Sequence, residues 1–576
     1  MTQALHALLA RALAGSGVLA GLDPSCITAL GPTQLAIEEG ELLFRQGDPG
    51  DHAYLVLTGV VGLHTGPPGQ PEGFFRKVVP GELVGDYGPL SGEPRSASAL
   101  ALTAVQVLQF DGDQLKQLLE CEPGVPSRFI TALAEAASVG RDPGRMPLQT
   151  IVIHDACPGS PLTTAVRRLL PEQLRQLSQG LNGLDDLSIS GPSEADDDPE
   201  AALHARLVEA TRTGRPEVIV SDDPDALSRR NRLLVDRLLI LSEGEASSIR
   251  LPQAEAGEAL LVRLWPAQEQ TPRSRDWATA QPFAQVLNLK PERPDHLERL
   301  ARATLRRQRV LVLGGGGARG FAHVGALSAM EELGLRDFDM VMGVSIGALV
   351  ASLVAFELPA SEILSNLERV IIKARPYSFT LPRGSLFTLR NSRLELERFF
   401  GSARLQDSWL PLRTFSTNLA TNQLQGWGSG DIATAVIASM SVPGIFPPVA
   451  DGQGQLNVDG GILNNLPVAE ARRRSNGRVV ALSLDPDPEL SPEAGADPAM
   501  KPSSELQHPS LGRTIIDAMM CGSHATTRAQ ERLADVILRP DIGSFPFLDW
   551  KRYQEIHTVG YEEAIRQLQA GWPQNR

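Results

Sequence analysis

The sequence predicts an α/β protein with a small all-β module at its front. Three observations carry that expectation. Short apolar runs broken by glycine turns fill the first quarter of the chain. Strand-like and helix-like segments then alternate. From Arg309 onward, a glycine-rich turn and a G-x-S-x-G turn each lie between an apolar strand and a helix. The chain has 576 residues, 42% of them hydrophobic, enough for several cores and about three or four domains.

Residues 1–145 open on a short helical segment. The runs ELLFRQGDPGD, AYLVLTGVVGLHT, RKVVPGELVGD and RSASALALTAVQVLQF follow, spaced as strands of a β-roll or barrel. Asp111 is placed to cap the helix DQLKQLLE, and a second helix is expected over roughly Ser127 to Ala137. Residues 146–300 change character. TIVIHDA, EVIVSDD, RLLILSEG and ALLVRLW are apolar enough to be buried strands, with a polar helix, DALSRRNRLLVDR, between the second and third. That alternation predicts a parallel α/β region, and no catalytic constellation lies in it. SGPSEADDDPEAA is expected to be a solvated loop.

Residues 308–480 are expected to form a further α/β region: strand RVLVLG, glycine turn, helix FAHVGALSAMEELG, strand FDMVMG, a sharp turn at Ser345, and helix IGALVASLVAF. Strands around FSTNLA, QLNVDGG and VVALSLD come later. Residues 481–576 are expected to comprise a Pro- and acid-rich mobile loop at 485–510 and a helical extension.

Lys and Arg total 54 against 68 Asp and Glu, a net charge of −14. That balance argues against nucleic acid as a partner, because phosphate binding requires a basic surface. Cys26, Cys121, Cys157 and Cys521 stand far apart with no CxxC spacing, so neither zinc nor a disulfide framework is expected, and a reducing compartment is the natural reading. No signal peptide or membrane anchor is evident.

Three motifs carry chemistry. Gly343-Val344-Ser345-Ile346-Gly347 fits a nucleophile elbow, in which small flanking residues relieve the crowding of a tight turn and lift the Ser hydroxyl towards substrate. Its bland reading is a Ser in an ordinary turn. Gly314-Gly315-Gly316-Gly317-Ala318-Arg319-Gly320 offers converging backbone N–H groups, which in an acyl-transfer enzyme receive the tetrahedral oxyanion. Taken alone, its Gly315, Gly317 and Gly320 fit a dinucleotide fingerprint first. Against that, the next strand ends in the Ser345 turn rather than in an acidic ribose ligand, and no Lys-Ser/Thr pair marks a P-loop. Asp459-Gly460-Gly461 ends a strand, where D-G is more often a simple turn.

In this order the three motifs resemble the patatin-like phospholipases, with GGGxRG, GxSxG and DGG over residues 308–480. The segment ASMSVPGIFPP (438–448) extends the resemblance, and the chain's tail looks like the neuropathy-target-esterase branch. The resemblance implies an α/β hydrolase with a Ser345–Asp459 dyad. Ser345 would be the nucleophile and Asp459 the general base, with no His between them. Gly315, Gly316 and Gly317, with Arg319 and Gly320, would form the oxyanion loop, Arg319 fixing that loop or binding a substrate phosphate. A full triad would require His508, His524 or His557, none of which lies in a recognisable catalytic loop. His323 fits a packed core histidine. The substrate implied is a phospholipid or lysophospholipid, reached by transient contact with a membrane surface from the cytoplasm or the inner membrane face. No metal and no obligatory cofactor is implied.

A second resemblance lies at the front. Gly85-Asp86, then Arg95-Ser96, look like the phosphate-binding cassette of cyclic-nucleotide-binding domains, with Arg95 on the cyclic phosphate and a cyclic nucleotide as effector. Asp86 stands where that family usually has Glu for the ribose hydroxyl. Two functional classes therefore stand side by side: a serine lipid hydrolase, and a nucleotide-sensing protein on an inactive hydrolase scaffold.

Overall fold

The structure is a computed structural model that describes residues 3–14, 16–65, 74–139, 148–178, 187–190, 198–223, 225–244, 259–273, 283–373, 378–379, 385, 387–485 and 511–571. The chain divides into two compact units. The first comprises Met1–Ser242, Ile249–Leu261 and Pro282–Ala284, and the second Glu243–Ser248, Val262–Gln281 and Gln285–Arg576.

In the first unit, eight short strands make two four-stranded antiparallel sheets. One runs in the order Thr33–Ile37, Val105–Asp111, His52–Thr58, Leu83–Val84, and the other in the order Leu42–Phe44, Ser98–Ala101, Val61–His64, Phe74–Val78. This is the expected β-roll. Asp111 caps the helix Gly112–Glu120 through a capping box with Gln114. The next helix spans Val125–Val139, slightly longer than expected.

The parallel α/β region follows, with Thr150–Asp155 pairing in parallel with both Glu217–Ser221 and Arg237–Glu243. Its flanking helices Pro161–Ser178 and Pro199–Thr213 were not foreseen, because charged residues interrupt their apolar stripes. The single helix expected over 225–237 is instead a 3-10 turn, Asp225–Leu227, and a short helix, Arg229–Leu234. Ser228 caps that short helix, which breaks the longer one. Roll and α/β region share an apolar cluster including Val60, Leu100, Leu102, Val152, Leu207 and Leu234. Beside it the buried Lys77 and Asp236 pair at 2.6 Å.

The second unit is built on a mixed sheet in the order Val449–Ala450, Leu456–Asp459, Leu412–Asn418, Met340–Val344, Val310–Leu313, Val479–Leu482, Val536–Leu538. Its centre is parallel and buried on both faces, so the strands Val310–Leu313, Met340–Val344 and Val479–Leu482 read as unbroken apolar runs. Leu311 and Leu313 pack on one face among the helices Phe321–Glu332 and Ile346–Ala355; Val310 and Val312 pack on the other with Met342, Val344 and Val468. No helix among the described residues is long and apolar enough to cross a membrane. His508 and the expected loop at 486–510 lie outside the described residues.

Candidate active site

Ser345 stands at the carboxyl end of the central strand Met340–Val344 and immediately before the helix Ile346–Ala355. Its backbone lies at φ 53°, ψ −125°, a conformation that costs a non-glycine residue on the order of 1–3 kcal/mol. The turn is possible because its neighbours lack side chains. A Cβ on Gly343 would collide with the Gly347 carbonyl, and one on Gly347 with the carbonyls of Leu313 and Gly314. The strained amide is fixed from outside: Ser345 N–H donates to Ser439 Oγ at 2.9 Å, and Ser439 donates to the Phe415 carbonyl at 2.6 Å. Ser345 is 7% exposed, and the helix starting beside it favours negative charge at its mouth.

Asp459 ends the strand Leu456–Asp459, whose antiparallel register sets it opposite Ser416. Ser345 Oγ donates to Asp459 Oδ2 at 2.7 Å, and the Gly461 N–H donates to Oδ1 at 2.8 Å. The Asp459 backbone is held by its N–H on Ser441 O and by Thr417 Oγ1 on its carbonyl. Burial pushes the carboxyl up to about 6, against the opposing pull of the Ser345 and Gly461 hydrogen bonds. Gly460 lets the turn press on strand Leu412–Asn418, since a Cβ there would meet the Phe415 carbonyl.

The glycine loop packs directly against the nucleophile: a Cβ on Gly315 would lie 3.0 Å from Ser345 Cβ. The Gly315 N–H is engaged by the Asn465 carbonyl at 3.3 Å, whereas the Gly316 and Gly317 amides carry no hydrogen bond among the described residues. Gly317 has φ 57°, a left-handed conformation that glycine adopts without steric cost. Arg319 Nε donates to the Phe545 carbonyl at 2.8 Å, and Ala318 N–H to the Phe547 carbonyl at 2.8 Å, so the loop is tied to the C-terminal extension. Gly320 packs against Ile346, with no room for a side chain.

No histidine among the described residues is hydrogen-bonded to Ser345 or Asp459. His323 is buried, donates from Nε2 to the Gly314 carbonyl at 2.7 Å, and is pushed down to about 4 by desolvation, so it is a neutral prop under the loop. His557 lies 3.5 Å from Ser328 Oγ. His524 Nδ1 lies 3.4 Å from Asp485 Oδ2. Sequence reasoning missed Ser439 and Asn465 as site residues. The signals were present, a Ser inside the SMSVPG segment and an Asn pair soon after DGG, but nothing in the sequence tells which backbone atoms they reach.

In the β-roll, Gly85, Asp86, Arg95 and Ser96 line one cavity of about 1020 Å³, shared with Phe44, Arg76 and Arg128. Arg95 is 6% exposed and turned onto its own backbone, donating to the carbonyls of Gly85 at 2.6 Å and His52 at 2.5 Å. Its guanidinium stacks 4.3 Å from the Phe44 ring centroid. Burial raises the Asp86 carboxyl. No group of residues suited to a metal ion occurs among the described residues.

Comparison with known proteins adds the following. Residues 311–472 match the family model of the patatin-like phospholipases, and residues 34–121 that of the cyclic nucleotide-binding domain. An NTE family protein of Mycobacterium tuberculosis is 26% identical over 97% of this chain and 96% of its own length. Human patatin-like phospholipase domain-containing protein 6 is 24% identical over 93% of this chain and 44% of its own. The lysophospholipase nte1 of Neurospora crassa is 23% identical, over 92% and 42%.

Proposed function

We propose that this chain, whose residues 311–472 match the patatin-like phospholipase family model, hydrolyses carboxylic esters of phospholipids or lysophospholipids through Ser345 and Asp459. That it is a lipid-ester hydrolase follows from the family and its relatives. The observation that carries the finer reading is the 2.7 Å hydrogen bond from Ser345 Oγ to a buried carboxylate. Asp459 takes the Ser345 proton as Oγ attacks the ester carbonyl, and the amides of Gly316 and Gly317 receive the oxyanion. The leaving alcohol takes the proton from Asp459. Water then enters, Asp459 acts as base again, and the acyl group leaves as the free acid. A carboxyl near 6 suits this work better than one at its ordinary value, since the base must be strong enough to accept a proton yet ionised near neutrality.

On this reading residues 308–480 are the catalytic core and 481–576 its extension, while 1–145 are a regulatory β-roll and 146–300 an intervening α/β region. A cyclic nucleotide is the effector that fits the front cavity. Cytoplasmic residence with transient membrane contact belongs to the same proposal. Ser345→Ala tests the core of it. The folded variant is expected to lose essentially all hydrolysis of a lysophospholipid panel and all labelling by an organophosphorus probe; activity near the wild-type level would sink the assignment.

A further inference from the structure

We infer that Asn465 and Asp485 together hold the glycine loop in its oxyanion-binding orientation, an inference that rests on the hydrolase reading above. Asn465 is 3% exposed and comes just after the Asp459 turn. Its carbonyl accepts the Gly315 N–H, and its Nδ2 donates to the Gly315 carbonyl at 3.1 Å. The second contact matters most. The Gly315 carbonyl and the Gly316 N–H belong to one planar trans peptide, so they point in opposite directions and turn together. Fixing the carbonyl on Asn465 therefore fixes where the Gly316 amide points.

Asp485 decides which end of the Asn465 side chain faces the loop. It is 6% exposed and lies just beyond strand Val479–Leu482. Its Oδ1 accepts from Asn465 Nδ2 at 3.1 Å. A carboxylate only accepts, so the amide must present its NH2 to Asp485, and the remaining N–H reaches Gly315. The other carboxylate oxygen, Oδ2, is the one facing His524 on the helix Leu511–Glu531. Gly315 has no room for a side chain: a Cβ there would collide with Asn465 Oδ1. Neither Asn465 nor Asp485 touches the reacting atoms; both are positioning residues.

The test uses the full chain with a short-chain nitrophenyl ester and a lysophospholipid, comparing wild type with Ser345→Ala, Asn465→Ala, Asp485→Asn and the exchange N465D/D485N. Asn465→Ala should lower kcat on the order of 100-fold, with KM within about threefold, because the loss falls on the transition state. Asp485→Asn should lower kcat by about tenfold, since the amide it leaves no longer dictates the Asn465 orientation. The exchange separates positioning from mere stability. It rebuilds the Asn–Asp hydrogen bond in reverse, so the melting temperature should recover, but it leaves the Gly315 carbonyl without a donor, so kcat should stay as low as in Asn465→Ala. Should a Ser345-dependent wild type be matched within threefold by Asn465→Ala, or kcat return in the exchange, the inference is overturned while the hydrolase reading stands. Activity indifferent to Ser345→Ala removes both.

Discussion

At the residue scale the decisive group is Asp459. Its carboxyl is pushed up to about 6 by burial, and the proposed role as base requires it to be ionised. The value of kcat/KM should therefore rise with pH through about 6 and level off above it, which a pH–rate profile reads directly. The same shift acts on stability. The folded chain binds this proton more tightly than the unfolded chain, whose carboxyl stays near 3.8. The stability it contributes is complete below that value and is lost as pH rises through about 6. Asp459→Asn escapes the loss. At neutral pH it should be more stable than wild type by roughly 2–3 kcal/mol in urea melts, the gain vanishing below about pH 4, while hydrolysis falls close to the Ser345→Ala level. Equal stability at neutral pH would mean that the carboxyl is not desolvated.

At the scale of elements, the active turn depends on how closely helices and strands approach. Helix Phe321–Glu332 begins at the glycine loop, and helix Tyr553–Gly571 lies against it at two glycines. A Cβ on Gly325 would collide with the His557 carbonyl, and one on Gly560 with the Ala322 backbone. The C-terminal extension thus locks the helix that carries the loop. Gly560→Val should cost about 2–3 kcal/mol through overpacking, seen as a lowered melting temperature in calorimetry, with kcat falling alongside. An unchanged melting temperature would rule out the close contact. These elements were largely legible. The runs RVLVLG and FDMVMG were too short for helices and ended in glycine turns, so strands were the natural reading. Helix Pro161–Ser178 was not legible, because Arg167, Arg168 and an internal Pro171 disguise its apolar face.

At the scale of the whole molecule, a hydrolase is joined in one chain to a β-roll with a cavity large enough for a nucleotide. Arg95 there is engaged by two carbonyls and a ring, while its Nε–H has no hydrogen-bond partner among the described residues. We expect a cyclic nucleotide to bind and Arg95→Ala to remove most of the binding, on the order of 2–5 kcal/mol for a charge-assisted contact. Titration calorimetry with cyclic AMP and cyclic GMP checks this. No heat and no thermal shift at millimolar ligand would leave the roll as a docking module. If binding alters hydrolysis by changing substrate affinity, lipid must alter nucleotide affinity by the same factor.

The sequence by itself determined the order of regions, the strand–turn–helix positions of Ser345 and the glycine loop, and the identity of the acid at the end of the Asp459 strand. These are local matters: apolar period, glycine placement and caps are written in consecutive residues. Only the tertiary structure decided that Ser345 and Asp459 meet at 2.7 Å across strand Leu412–Asn418, that Ser439 holds the strained amide, and that Asn465, itself bound to Asp485, grips Gly315. Those contacts join residues far apart in the chain, and they exist because the mixed sheet returns the Asp459 strand antiparallel to Leu412–Asn418, which in turn runs parallel to the strand that ends at Ser345. The burial that raises Asp459 is likewise a property of the packed sheet, since no neighbour in sequence can desolvate a carboxylate to that degree.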